Sequence, residues 1–126
     1  MDAARSIDAQ EIAKVNLDLA DRIDKEGVTF LYDDESDILS ITIGKPCEAI
    51  TEPLVDDIMY RIDPNALKIV GFVIVSFTSD FLAKNKLVRK MLKDFTPDIL
   101  KGEPYKIENP KDQQKASKVL SELVPV

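Results

Sequence analysis

Across its 126 residues the chain has no histidine, no tryptophan and one cysteine, Cys47. Without histidine there can be no Ser-His-Asp or Cys-His arrangement and no imidazole-ligated zinc. The usual proton acceptor near neutral pH is missing as well. A single cysteine excludes an internal disulfide and any multi-cysteine metal site. Gly44 belongs to no G-x-G-x-x-G or G-x-x-x-x-G-K pattern, so nothing supports a phosphate-cradling loop. No apolar run approaches the roughly 20 residues needed to cross a bilayer. The opening stretch "MDAARSIDAQEIAK" lacks the basic-then-apolar layout of a secretory signal. The expectation is a cytoplasmic, non-enzymatic protein with no cofactor, no metal and no membrane contact. Catalysis here would have to run on carboxylates, lysines or tyrosines.

The remaining composition, 44% hydrophobic and 32% charged, is that of a chain able to build a core. Its length suits a single domain, residues 1–126. The net charge of −6 conceals a gradient: residues 1–80 hold 7 basic and 17 acidic side chains, residues 81–126 hold 10 and 6. Such a split marks either a partner-binding half or two surfaces that complement each other.

Hydrophobic periodicity organises the chain. Ile12, Val15, Leu19 and Ile23 recur at helical spacing, which predicts a helix over 8–26 with Asp8 as N-cap and Gly27 as its stop; residues 1–8 read as a loose terminus. Residues 28–78 then read as strands. Val28 to Tyr32 is a short extended run, and Leu39, Ile41 and Ile43 alternate with polar residues. A weak strand over 47–51 ends at Pro53, which suggests a sheet edge. Ile58, Tyr60 and Ile62 alternate again. In "KIVGFVIVSF", 68–77, both alternating sets are apolar, which predicts a central strand buried on both faces, with Gly71 marking a bulge or a close backbone approach. Helices are expected over 80–95, capped by Ser79, and over 110–124, where Asn109-Pro110 is a strong start. The fold class is α+β: an antiparallel β-meander of four to five strands with an N-terminal helix and two C-terminal helices. Three helices over a sheet with a doubly apolar strand leave a face to be covered, and a homodimer or other protein partner would cover it.

"YDDESDILSITI" at 32–43 resembles the opening hairpin of a small bacterial family, the domain of unknown function 2283. "MYRIDPNALKIVGFVIVSF" at 59–77 is similar to that family's second half. The resemblance covers residues 28–78; the turn at 63–66 lacks the glycine often found there, and the helical flanks are additional. It implies a compact β-rich module and brings no catalytic residues with it.

Four features of the sequence have the residue types of a site. Asp33, Glu35 and Asp37 imitate the start of a calcium loop, but Ile38 stands where its glycine is needed and Gly44 where its bidentate glutamate is needed. A hairpin turn with capping aspartates, Asp33 opening and Asp37 closing it, accounts for them. Asp56 and Asp57 read as the solvated entry to a strand. Cys47 reads as a small buried packing group. Lys86, Arg89, Lys90 and Lys93 share one outer helical face and are the candidate partner-binding residues. The sequence therefore points first to a protein–protein interaction or assembly module that self-associates. The alternative is binding of nucleic acid or another anionic partner through the basic helix 84–93, with the acidic pI near 4.7 arguing against nucleic acid.

Overall fold

The computed structural model describes residues 9–55 and 57–124; the segment 1–8, including Asp8, and Asp56 lie outside them. In chain order the elements are α1 (Ala9–Val15), α2 (Leu19–Glu26), β1 (Val28–Asp33), β2 (Ile38–Ile43), β3 (Ile50–Val55), β4 (Ile58–Ile62), β5 (Ile69–Ile74), a π-helical turn (Phe77–Phe81), α3 (Leu82–Lys84), α4 (Lys86–Leu92), α5 (Thr96–Ile99), β6 (Tyr105–Ile107) and α6 (Pro110–Glu122). The class is α+β with one antiparallel sheet. It has six strands in the order β3-β4-β5-β2-β1-β6. The order departs from a plain meander because β5 returns to pair with β2, joining two hairpins edge to edge. No helix among the described residues is long and apolar enough to cross a membrane.

One sheet face supplies the core. Phe30, Tyr32, Leu39, Ile41, Tyr60 and Phe72 are buried there; α2 packs on β2, α5 on β1, and α6 on α2 and α4. Tyr60 donates its hydroxyl to the carbonyl of Leu123, pinning the end of the C-terminal helix to β4. Along α6 the expected stripe Ala116, Val119, Leu120 and Leu123 is buried. Asn109 caps this helix by accepting from the Lys111 N–H at 2.8 Å.

The central strand is where expectation and structure part. β5 lies between β4 and β2, but a bulge interrupts its alternation: Arg61 pairs with Gly71 and Ile62 with Ile69, leaving Val70 as the extra residue. The bulge turns Ile69, Phe72 and Ile74 toward the helices together, while Val70 and Val73 stay half-buried on the other side. The strand is therefore fully buried on one face, not two. Gly71 serves both roles its position suggested, since a Cβ there would stand 2.6 Å from the Ile41 carbonyl oxygen.

Other boundaries also shift. The single helix over 8–26 is two, because buried Asn16 breaks it: its Nδ2 donates to the carbonyls of Ile12 and Leu67, and its Oδ1 accepts from the Ile69 N–H and the Arg22 guanidinium. Gly27 ends α2 as expected, at φ 82° with its N–H on the Ile23 carbonyl. The edge strand occupies 50–55 instead of 47–51 and runs through Pro53 with a register slip, as an edge permits. The helix over 80–95 is broken at Asn85, whose ψ of 70° is not helical. β6, a three-residue edge strand on β1, had too little pattern to be anticipated.

Candidate functional site

The helical layer begins where β5 ends, and two hairpin turns grip that exit. At Ser76 the backbone turns through a left-handed conformation, φ 52°. From one side Asp37, itself at φ 57°, accepts the Phe77 N–H on its carbonyl. Its carboxylate takes the Thr78 N–H at 2.9 Å, the Thr78 hydroxyl at 2.8 Å, the Ser79 N–H at 3.0 Å and the Tyr32 hydroxyl at 2.6 Å. From the other side Asp57, at φ 67°, accepts the Val75 N–H on its carbonyl. Its carboxylate faces Lys84, which also meets Asp80 at 2.8 Å. Partial burial pushes the Asp37 carboxyl up. The Tyr32 hydroxyl and the Thr78 and Ser79 N–H groups outweigh that and hold it well below the usual carboxylate range. The Asp37 hydrogen bond, with burial, raises the Tyr32 phenol in return. Ser79, expected as the N-cap, is instead a donor to the cap that Asp37 provides from a distant hairpin.

Past this anchor, α3, α4 and the start of α5 fold around an open groove of about 910 Å³. Lys86, Arg89, Lys90 and Lys93 line it. Their spacing of i, i+3, i+4 and i+7 places them on one face. Leu82, Ala83 and Pro97 supply an apolar floor, and Thr78 and Thr96 complete the lining. All four cations are exposed, and among the described residues none makes an ion pair. The neighbouring acids are committed elsewhere: Asp80 to Lys84, Asp94 to Lys115 at 3.2 Å and Asp98 to Lys101 at 3.1 Å. The groove is thus locally and strongly positive within an acidic chain.

Chemically the groove offers cations that can bind an anion. The Thr78 hydroxyl is spent on Asp37, and the Thr96 hydroxyl donates to the Leu92 carbonyl at 2.9 Å. The other polar side chains of the lining are the exposed Lys86, Arg89, Lys90 and Lys93.

The remaining candidates do not join it. Asp33 opens its turn as expected, accepting from the Glu35 N–H and the Ser36 hydroxyl, while Asp34 and Glu35 face solvent. Among the described residues no three His, Cys, Asp or Glu side chains converge as for a metal ion. Cys47 is exposed, not buried, because the segment leading to edge strand β3 has no layer above it. Asp57 is tied to Lys84, and its neighbour Asp56 lies outside the described residues. Sequence reasoning identified the four cations but missed their floor. Leu82 had the pattern of a core residue and Pro97 that of loop punctuation; only the break at Asn85 and the turn into α5 bring them to the same groove as the basic face.

Comparison with protein-family models, with curated proteins and with solved structures finds no match to this chain.

Proposed function

We propose that the protein is a non-enzymatic interaction module that docks an anionic partner in the basic groove. The observation that carries this reading is the set of four unpaired cations around an apolar floor. α4 also carries an intrinsic cost. Lys86 faces Lys90 and Arg89 faces Lys93 at i, i+4, each like-charged pair costing about 0.2–0.5 kcal/mol. Lys86 at the first helical position adds a further unfavourable contact with the helix dipole. An arrangement that opposes local stability without a compensating contact is the mark of a surface kept for binding. The direct test is retention on heparin and binding of polyglutamate by the wild-type chain and by a variant with Lys86, Arg89, Lys90 and Lys93 changed to Gln. Salt-sensitive binding that the variant loses supports the proposal; equal behaviour of the two chains ends it.

Self-association is a second reading, favoured by the outer sheet face. Leu31, Ser40, Val73 and Met59 lie in register across four strands, with Leu31 45% exposed. This row carries no charge, so a two-fold axis can bring it against its own copy without opposing like charges. Sedimentation at micromolar concentration tests it: a dimer that Leu31→Lys dissociates supports the reading, and a wild-type monomer removes it. A cytoplasmic setting fits the single exposed thiol of Cys47, since oxidising compartments favour paired cysteines. Membership in the bacterial family named above belongs to the same proposal. Its two segments, 32–43 and 59–77, cover the end of β1 with all of β2, and most of β4 with all of β5; they meet where β2 joins β5.

A further inference from the structure

We infer that the anionic partner is a short acidic amphipathic segment of another protein, a stretch presenting carboxylates and apolar side chains on one side. This rests on the groove being the binding site and concerns which class of anion it takes.

The first argument is the floor. A phosphate backbone would satisfy the cations and leave Leu82, Ala83 and Pro97 unused beneath it. A segment with apolar side chains between its carboxylates buries that surface as well, at about 25 cal/mol per Å². The second is the lining. Single-stranded nucleic acid is held by aromatic platforms on which bases stack. The groove has none, because nearby Phe81 and Phe95 are buried in the core.

The third argument is length. Lys86 to Lys93 spans seven residues of helix, about 10 Å at 1.5 Å per residue. Carboxylates at i, i+3 or i+4, and i+7 of a facing helix cover the same distance. Binding also relieves the like-charge pairs within α4.

Fluorescence anisotropy on the wild-type chain, which requires no variant to fold, decides among three labelled probes of equal net charge. These are a 14-residue peptide with Glu and Leu at helical spacing, the same peptide with every Leu replaced by Ser, and a single-stranded oligonucleotide. The Glu/Leu peptide should bind at least tenfold more tightly than either of the others, and the four-Gln variant should lose it. If the Ser peptide or the oligonucleotide binds as tightly, the partner is not an amphipathic protein segment, although docking of anions in the groove survives. If the four-Gln variant keeps the Glu/Leu peptide, the groove is not its site and this inference falls. If no probe binds, the inference and the reading beneath it fall together.

Discussion

The hairpin 33–37 and the helix α4 with its C-cap Lys93 each concentrate four like charges within a few residues, and in the sequence they look equally suggestive. In the fold they are opposites. The two hairpin carboxylates that matter are saturated: Asp33 holds its own turn, and Asp37 accepts four hydrogen bonds and fastens the start of the helical layer. The cations of α4 have no such partners and border a concavity. A dense charge cluster becomes scaffold when the chain supplies its counter-groups, and stays available for a partner when the chain spends those groups elsewhere. Asp94 and Asp98, turned to Lys115 and Lys101, are where that choice is visible.

This contrast can be broken by urea titration of variants. The more fully a polar group is satisfied inside the fold, the more its removal should cost. The largest loss is expected for Asn16→Ala, about 3 kcal/mol, because buried groups on Ile69, Leu67 and Arg22 lose their partner. Asp37→Ala should cost about 2 kcal/mol, a figure held down by the solvent around the carboxylate. A loss below about 0.5 kcal/mol for Asp37→Ala would mean the hairpin is not the anchor described.

The same residue predicts a pH dependence. The folded Asp37 carboxyl lies below its unfolded value of about 4. The unfolded chain therefore binds the proton more readily on acidification. The stabilisation is complete above pH ~4 and is lost as the pH falls below it. Asp18, lowered chiefly by its Lys68 hydrogen bond, adds a contribution of the same sign. In Asp37→Asn the slope of stability against pH below 4 should become shallower without vanishing; an unchanged slope would place the acid sensitivity elsewhere.

Asp33→Ala should cost less, about 0.5–1 kcal/mol, since its partners lie within one exposed turn. The smallest effect belongs to the groove. Changing Lys86, Arg89, Lys90 and Lys93 to Gln should leave stability within about 0.5 kcal/mol of the wild type, with any change a gain. If that variant were destabilised by more than about 1 kcal/mol, the cations would be structural and the contrast would collapse.

Much of this was legible in local pattern. The alternations in β2 and β4, the stripe of α6 and its Asn109-Pro110 start, and the Gly27 stop are all set by neighbours within a turn or two. The four groove cations were found the same way, from helical spacing. Asn16 was not. Its spacing from Ile12, Leu19 and Ile23 puts this asparagine on the apolar stripe itself, but the carbonyl and N–H it serves, on Leu67 and Ile69, are more than fifty residues away. The reach of Asp37 to Thr78 and Ser79 was invisible for the same reason.

By itself, then, the sequence determined the α+β class, the strands β1, β2, β4 and β5 and the helix α6, the antiparallel run of the strands, and which histidine- and multi-cysteine-dependent chemistries were excluded. Those follow from propensity, period and composition, which act over short stretches of chain. Only the tertiary structure decided that β5 would pair with β2, that Val70 and Val73 on the outer side of the central strand would stay half-buried, and that one cluster of charges would be consumed while the other stayed open. Each of those outcomes depends on which groups the fold brings together, and a buried or half-buried polar group is satisfied by partners distant in the chain, as Asn16 and Asp37 are.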